Sequence, residues 1–290
     1  MADWRPACSV EVLRARAHLL RTIRDFFDER GVLEVQTATL GAATVTEPAI
    51  ESLAVPGVGY LQTSPEYQMK RLLAAGAPSI YQLAPVFRAG EAGRMHNPEF
   101  VMLEWYRLEY TDQALMAEVA ALLDVALGRG HYHSLTYHDV CRRAPPLPEA
   151  AALDERDAED LRFAAGVEAL GAGRFFVTDY PADQAALARL RPENPRVAAR
   201  FEVIVDGVEL ANGYWELGDP EALEARFRRD LARRRARGQP EPPLDGRLLA
   251  AMAAGLPPCA GVALGFDRLL MLRTGAASLA EVMTFPHDRA

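Results

Sequence analysis

The chain has 290 residues and a net charge of −8, and half of its residues are hydrophobic. This length supplies enough apolar surface for one large core or two modest ones. The negative charge argues against broad attraction to a polyanion such as RNA, although a local basic face is compatible with it. The three cysteines are far apart and form no CxxC pair, so neither a disulfide framework nor a zinc site is expected.

The hydrophobic pattern predicts no targeting or membrane-spanning segment. The first ten residues contain no basic segment followed by an apolar run, and no uninterrupted run of about 18 apolar residues occurs. Together with the unpaired cysteines, this pattern leads us to expect a cytoplasmic protein with no membrane partner.

Helix-capping residues mark the first elements. Ser9 is placed to cap a helix whose apolar residues recur at helical spacing. A strand is predicted over 32–36, and Ser64 with Pro65 predicts the N-cap and first residue of a short helix. Glu66 then lies in the first turn of that helix, where an acid would also complement the helix dipole.

The segment FRAGEAGRMHNPEFVMLEWY, residues 87–106, is the most informative part of the chain. An apolar strand over 80–87 ends at Arg88, a glycine-containing loop follows, and a second strand carries Glu104 on an apolar face. A lone carboxylate is costly to bury unless it meets a cation or hydrogen-bond donors. We therefore predict that Glu104 binds a ligand; the alternative is a structural ion pair with a distant arginine.

The middle of the chain predicts secondary structure but carries no sharp motif. A helix is predicted from Asp112 to Leu127, and a strand over 175–180. The stretch 144–173 is rich in proline, acid and alanine, and we interpret it as a helical insertion. The histidine-rich segment HYHSLTYH at 131–138 lacks a complete set of metal ligands, so no metal site is expected there.

A hairpin is predicted at Asp206 and Gly207, a strong turn signal between two apolar strands. If these two residues form the turn, Ile204 pairs with Glu209, and Glu202 lies diagonally from Glu209, about 7–8 Å away. Two carboxylates at that distance on one face are suited to sharing Mg²⁺. The alternative is two exposed strand acids.

Two further segments bear on function. Asp219 and Pro220 begin a helix that ends near Gly238 and contains seven arginines in RFRRDLARRRAR. Such a run is usually a solvated face, although it could meet an acidic protein or RNA. GVALGFDRLLML predicts a buried strand, a glycine turn and a helix with Arg268 near its N-terminus, which is a favourable place for phosphate. Common P-loop, Rossmann and hydrolase fingerprints are absent from the sequence, so ATP would be bound in another way.

Three of these segments resemble, in order, the motifs of class II aminoacyl-tRNA synthetases. They are GVLEVQTATL for motif 1, VFRAGEAGRMHNPEFVMLEWY for motif 2 and GVALGFDRLLML for motif 3. TSPEYQMKRLL, HNPEF and FEVIVDGVELANGYWEL are similar to lysyl-tRNA synthetase segments. The resemblance implies an α+β fold in which an antiparallel sheet is flanked by helices. We expect a single catalytic domain over 1–290, with the helical insertion around 144–173.

Lysyl enzymes carry an anticodon-binding domain before motif 1, and here too few residues precede that motif, so we expect none. The short length together with the segments TSPEY, LEWYR, ELANG and CAGVALG resembles a stand-alone paralogue family called EpmA, PoxA or GenX. This family activates (R)-β-lysine with ATP and joins it to a lysine of elongation factor P. The resemblance implies a homodimer, with Ala38 in place of the motif 1 proline, and no transfer RNA partner. The alternatives are a truncated lysyl-tRNA synthetase-like enzyme and a non-catalytic amino-acid-binding paralogue.

The resemblance also assigns roles to individual residues. Arg88 and Arg268 correspond to catalytic arginines on the α- and γ-phosphates, and Phe100 to the ring that stacks on adenine. The ATP-binding set is Arg88, Glu91, His96, Asn97, Phe100 and Arg268. The substrate-binding set is Ser64, Glu66, Glu104, Tyr106, Asn212, Glu216 and Ala263. The Mg²⁺-binding acids are Glu202 and Glu209, in agreement with the hairpin argument.

Besides Ala38, two local features depart from the family pattern, and the strand that carries Glu216 needs a break in its alternation. The motif 2 loop has one residue more than usual before Glu91, so this acid reaches adenine only if the loop slips by one. Ala263 replaces a glycine, and its methyl group would reshape the pocket near the backbone amine of the amino acid. Strand parity places Glu216 on the opposite face from Glu209, so we predict a β-bulge near Gly213 that brings both to one site.

Overall fold

The computed structural model describes residues 4–148, 153 and 155–290. Its helices are α1 Val10–Asp28, α2 Glu66–Ala74, α3 Asp112–Leu127, α4 Tyr137–Cys141, α5 Glu155–Glu168, α6 Pro220–Ala236, α7 Gly246–Gly255 and α8 Phe266–Thr274. Its strands are β1 Leu33–Glu34, β2 Leu40–Gly41, β3 Ala54–Val55, β4 Gly59–Leu61, β5 Ile80–Phe87, β6 Glu99–Leu108, β7 Tyr132–Thr136, β8 Arg174–Pro181, β9 Leu190–Arg191, β10 Asn194–Val205, β11 Val208–Trp215 and β12 Cys259–Gly265. No helix within these ranges is long and apolar enough to cross a membrane.

A large mixed sheet forms the centre of the molecule, in the order β1-β5-β6-β12-β11-β10-β8-β7, with β9 paired to β10. The pairs in its middle are antiparallel, as predicted. Both edges differ from the prediction, because β1 pairs with β5 and β7 pairs with β8 in parallel. A small antiparallel sheet, β2-β4-β3, lies beside it. The α+β class with flanking helices is confirmed.

The predicted helices form close to their expected bounds because local caps determine them. The Ser9 side chain accepts a hydrogen bond from the Val12 amide at 3.4 Å. The second helix begins at Glu66, one residue later than predicted, and Ser64 Oγ accepts from the Glu66 amide at 3.0 Å. The strand predicted over 32–36 is paired over only two residues, at the edge of the large sheet.

The insertion predicted around 144–173 lies partly outside the described residues, at 149–152 and 154. Its described part contains α5, which packs on α4.

The prediction of a solvated arginine face on α6 is wrong for two of its arginines. Arg234 is 4% exposed and donates to the carbonyls of Thr46, Glu47 and Ile50, and Arg226 also donates to backbone carbonyls. These contacts fix loops beside the central sheet.

The main hydrophobic core lies on one face of the large sheet. Helices α1, α3 and α8 cover this face, where Phe27 stacks on Tyr81 at 4.4 Å between ring centroids and meets Trp105 edge-on at 5.3 Å. Because side chains alternate along a strand, Leu103 and Trp105 of β6 enter this core while Glu104 points to the opposite face. That opposite face is left available for a ligand cavity.

The predicted hairpin turn is present between β10 and β11. Asp206 and Gly207 have φ angles of +50° and +76°, as a two-residue turn of this type requires. Ile204 pairs with Glu209, as predicted.

The register breaks at Leu210, and not near Gly213 as predicted. Val203 pairs with Ala211 while Ile204 pairs with Glu209, so Leu210 is the extra residue of a β-bulge. Because an extra residue reverses strand parity beyond it, Glu209 and Glu216 come to the same face. The predicted consequence is correct, although its position is three residues earlier.

Candidate active site

A cavity of about 220 Å³ opens on the face of the sheet opposite the main core. Strands β6, β11 and β12 line it together with the starts of α2 and α8 and the loop after β5. It brings together nearly all the predicted site residues: Ser64, Glu66, Arg88, Glu91, His96, Asn97, Phe100, Glu104, Tyr106, Glu209, Asn212, Glu216, Ala263 and Arg268. Glu202 is the predicted residue that does not line the cavity.

Two arginines converge at one end of the cavity. The guanidinium of Arg88 lies 5.3 Å from the centroid of the Phe100 ring, and Arg88 Nη1 is 3.6 Å from Glu91 Oε1. Glu91 therefore reaches this end of the cavity despite the longer loop. Arg268 donates to the Glu209 carbonyl at 2.7 Å, and its Nη2 lies 3.0 Å from His96 Nε2. Paired guanidinium groups on a rigid sheet and a helix N-terminus are suited to phosphate.

Asn97, a predicted nucleotide residue, makes two hydrogen bonds within the protein. Its amide donates to the Glu99 carbonyl at 2.6 Å, and its oxygen accepts from the His287 amide at 3.0 Å. These bonds join the motif 2 loop to the C-terminal segment. Asn97 thus shapes the loop between the two arginines.

Glu104 lies at the other end of the cavity and is 2% exposed. It accepts hydrogen bonds from Ser64 Oγ and the Tyr106 hydroxyl, both at 2.7 Å. No lysine or arginine of the described residues forms an ion pair with it, so the alternative of a structural ion pair is wrong. Burial, and then the charge of Glu66, raise the pKa of Glu104 to about 8.

A second acidic group lies beside Glu104. Lys70 Nζ is 2.6 Å from Glu66 Oε1 and 2.7 Å from Glu216 Oε2. Glu216 is 1% exposed; its Oε2 pairs with Lys70, whereas its Oε1 has no hydrogen-bond donor among the described residues. Asn212 Oδ1 is likewise buried without a partner there. Such atoms are costly unless a ligand satisfies them.

Sequence reasoning missed Lys70 and Gly261. A signal for Lys70 was available, because a glutamate four residues before a lysine on a helix favours pairing of the two. A side chain at position 261 would place its Cβ within about 2.5 Å of Glu216 Oε1 and against the Tyr106 ring. A glycine is therefore required for the cavity to exist. No local sequence signal reveals this requirement, because it arises from the packing of β12 against β6 and β11.

Asp267 of motif 3 has a supporting position. It accepts from Arg16 Nη1 at 2.6 Å and from the Val101 amide at 2.7 Å, and it is 1% exposed. These bonds join α8 to α1 and β6. They hold Arg268, the next residue, in a fixed position at the cavity.

The two predicted metal ligands lie on one face of the hairpin. Glu202 is 7% exposed and pairs with Arg200 at 2.5 Å, while the side chain of Glu209 is half-exposed. Burial, and then the charge of Glu209, raise the pKa of Glu202 to about 7. This repulsion between two carboxylates suits a divalent cation. The described residues contain no group of three or more metal-binding side chains, so water or phosphate oxygens would complete the ligand set.

Comparisons with known proteins agree with this geometry. The family model described as tRNA synthetases class II (D, K and N) matches residues 1–289. A protein of Vibrio cholerae serotype O1 is 45% identical over 100% of this chain and 99% of its own length. Proteins of Vibrio vulnificus and Salmonella dublin are 44% and 46% identical, over 98% and 100% of this chain and 98% and 99% of theirs. Each of the three relatives is named elongation factor P--(R)-beta-lysine ligase.

Proposed function

Because this chain belongs to the class II tRNA synthetases (D, K and N), we propose that it is an ATP-dependent ligase that joins (R)-β-lysine to a lysine side chain of elongation factor P. One observation carries the proposal. Glu104, a buried acid with no resident cation, lies in the same cavity as Arg88 and Arg268. An amine-binding end and a phosphate-binding end in one cavity are what amino-acid adenylation requires.

Two other functions are less well supported. A truncated lysyl-tRNA synthetase would share the cavity, but a net charge of −8 disfavours a polyanionic acceptor. A non-catalytic paralogue that only binds an amino acid would need neither both arginines nor both acids of the hairpin. The chain retains all four of these groups.

The acidic end of the cavity would select a diamino acid. Glu104 and Glu216 are the natural partners of an ammonium group, and the Tyr106 hydroxyl orients Glu104 by a hydrogen bond at 2.7 Å. A substrate without that ammonium would leave buried carboxylates unpaired, which costs about 2–5 kcal/mol or more. Ala263 pairs in register with Glu104 and Asn212, so its methyl group faces the same end and limits the space near the substrate.

Adenylation then depends on positioning and charge. The carboxylate of the amino acid attacks the α-phosphorus of ATP, and one carboxylate oxygen forms the new P–O bond. The bond from the α-phosphorus to the oxygen that bridges it to the β-phosphorus breaks, and pyrophosphate leaves with that oxygen. A carboxylate is already a nucleophile at neutral pH, so this step needs no general base. Arg88 and Arg268 would neutralise the phosphate charge, and Phe100 would stack on the adenine ring.

Glu202 and Glu209 would hold Mg²⁺. When bound, this ion supplies further positive charge to the phosphates of ATP. Their place on one face of the hairpin supports this assignment, since Ile204, which shares the face of Glu202, pairs with Glu209. Arg200 donates a hydrogen bond to Glu202 Oε1 and is the counter-ion of this carboxylate.

Transfer completes the reaction. The ε-amine of a lysine on elongation factor P attacks the acyl carbon of the adenylate, an amide bond forms and AMP leaves. The acceptor ammonium loses a proton before the attack. The side chains that line the cavity would position the acyl group for this step.

Assembly and location are part of the proposal. Strand β1 belongs to the motif 1 segment and lies at the edge of the large sheet, where Leu33 is 51% exposed. An exposed apolar residue at a sheet edge supports a homodimer through this edge.

The three free thiols, Cys8, Cys141 and Cys259, support a location in a reducing cytoplasm.

Two assays with wild-type protein test the function. Pyrophosphate exchange into ATP that depends on β-lysine distinguishes an enzyme from a binding protein. Incorporation of labelled β-lysine into elongation factor P, with transfer RNA as the competing acceptor, identifies the second substrate. Self-labelling at lysine is disfavoured, because the only lysine of the chain, Lys70, is buried. Labelling of transfer RNA and not of elongation factor P would overturn the proposal.

A further inference from the structure

The only lysine of this chain is at the candidate site. The sequence contains 31 arginines and one lysine, Lys70, whose side chain is 3% exposed. Every other basic position is an arginine, whereas this one holds a compact ammonium on a flexible stem. The position therefore requires what arginine does not supply, a point charge that fits between two close carboxylates.

Lys70 lies behind the wall of the cavity. Its Nζ contacts Glu66 at 2.6 Å and Glu216 at 2.7 Å, and both of these acids line the cavity while Lys70 does not. The ammonium therefore holds the two carboxylates from the protein side and leaves their remaining oxygens free toward the ligand. Burial opposes the charge of Lys70, but Glu216 and Glu66 outweigh it and raise its pKa, so it stays protonated.

The number of charges at this end of the cavity is informative. Three acids, Glu66, Glu104 and Glu216, line it, and Glu104 is bonded only to neutral hydroxyl groups. Lys70 is the only cation that pairs with any of these carboxylates in the described residues. When all three acids are ionised, two negative charges remain uncompensated. A diamino acid carries two ammonium groups.

We propose that Lys70 is a positioning residue that sets substrate specificity: its ammonium holds Glu66 and Glu216 in place and balances one of the three carboxylates, so that two negative charges remain for the two ammonium groups of the substrate. The inference rests on the proposed function and deepens it. Removing the positive charge would let neighbouring carboxylates repel each other and take up protons. A protonated carboxyl no longer attracts an ammonium group.

The other ionisable groups around the pair do not replace Lys70. They are Glu104 and Tyr106 of β6, Tyr214 of β11, Cys259 of β12 and Arg189 before β9. Burial raises the pKa of both tyrosines and brings that of the cysteine to about 12, so all three are neutral at physiological pH. Arg189 donates to the backbone carbonyl of Glu216 at 3.1 Å and lies over the Trp215 ring, and it forms no ion pair with the carboxylate within the described residues.

Lys70→Met is the direct test, because methionine keeps most of the volume and removes the charge. Pyrophosphate exchange is measured with β-lysine and with 3-aminohexanoate, which lacks the second amine. At about pH 7 the KM for β-lysine should rise at least about tenfold, and the preference over 3-aminohexanoate should fall by about as much. The KM for ATP should change less than about twofold. The loss should shrink toward about pH 9, where Glu216, whose pKa is raised mainly by burial, ionises without help.

Two controls separate charge from packing. Arg71→Met removes a positive charge from the same helix, outside the pair, and should leave both constants unchanged. Lys70→Arg keeps the charge in a larger group and should restore the wild-type pH profile even where its KM is raised. A loss in Lys70→Met of equal size at every pH would overturn the proposal in favour of a packing role.

A double variant keeps the proposal testable if Lys70→Met does not fold. Lys70→Met/Glu66→Gln removes one charge of each sign and again leaves two negative charges. The preference of the double variant for β-lysine should therefore be closer to wild type than the preference of Lys70→Met. If Lys70→Met is insoluble, the double variant is compared with Glu66→Gln instead, and the same order is expected. A double variant with a lower preference than either would refute the charge balance. Absence of β-lysine-dependent exchange in the wild type would instead refute the proposed function itself.

Discussion

At the residue scale, the position of Glu104 is the most informative feature of the molecule. Its carboxylate is buried, accepts two hydrogen bonds from neutral hydroxyls and has no cation beside it in the described residues. A buried acid in such surroundings is destabilising for the free protein. Buried groups of this kind cluster at functional sites. We therefore interpret Glu104 as a residue that lowers the stability of the free protein and binds the substrate.

The first prediction concerns Glu104→Gln. The amide keeps the size of the side chain but removes the charge, so the KM for β-lysine should rise about 10- to 150-fold, the equivalent of a lost charged hydrogen bond of about 1.5–3 kcal/mol. The KM for ATP should be unchanged. Glu99→Gln, an exposed acid on the same strand, is the matched control. Equal effects of Glu104→Gln on both substrates would show that this carboxylate does not bind the amine.

The second prediction concerns pH and stability. Glu104 and Glu216 have pKa values raised to about 8 and about 7, mainly by burial. The unfolded chain releases these protons near pH 4.5, so the folded state holds more protons between that value and about 7–8. The free energy of unfolding should therefore fall as pH rises through this window, by about 1 kcal/mol per pH unit for one such carboxyl.

Urea unfolding at about pH 6 and about pH 8 measures this slope. Glu104→Gln should flatten it, because the group that titrates is gone. Saturating β-lysine should stabilise the protein more at the higher pH, where the carboxylates are ionised and ready to pair. A slope that is the same in wild type and Glu104→Gln would contradict the burial argument.

At the element scale, close packing between strands makes the cavity. Strand β12 lies between β6 and β11, and its Gly261 faces Tyr106 in the register. A Cβ at this position would overlap the Tyr106 ring and the carboxylate of Glu216. The absence of a side chain in the centre of a sheet therefore creates space for the ligand.

The third prediction is that Gly261→Ala will reduce β-lysine-dependent exchange by at least about tenfold, because the methyl group displaces Tyr106 and Glu216 at the cost of about 1–3 kcal/mol. Pyrophosphate exchange and β-lysine binding by calorimetry measure the effect. Gly218→Ala is the control, since a Cβ there would meet only the Leu256 carbonyl at 3.9 Å. Wild-type binding by Gly261→Ala would mean that the substrate does not use this space.

At the scale of the whole molecule, the edges of the large sheet limit how the protein assembles. Strand β1 forms one edge and pairs with β5 over two residues, and Leu33 remains half-exposed there. At the other edge, β7 is flanked by α4, which packs against it and β8. The β1 edge is therefore the better candidate for contact with a second copy.

The fourth prediction is that Leu33→Arg will shift the protein from dimer to monomer at micromolar concentration, because a buried unpaired charge at an interface costs several kcal/mol. Analytical ultracentrifugation measures the change. Val125→Arg replaces a comparably exposed residue on α3 and should leave the oligomeric state unchanged. A wild-type protein that sediments as a monomer would refute the proposed dimer.

Short-range signals explain why much of the molecule was predictable. The Ser9 cap, the turn at Asp206 and Gly207, and the bounds of α3 each depend on neighbouring residues, and the structure confirms them. The alternation of side chains along β6 was equally local. It identified Glu104 as a buried acid before any tertiary contact was known.

Other features were decided only by tertiary packing. The bulge at Leu210 follows from how β11 meets β10 and β12 together, and no residue near it gives a bulge signal. The contact of Lys70 with Glu216 joins a helix near the N-terminus to a strand far along the chain. The sequence by itself determined which elements form and which acids and arginines they carry. Only packing between distant elements decided which of those charges meet, because electrostatic pairing depends on distance in space.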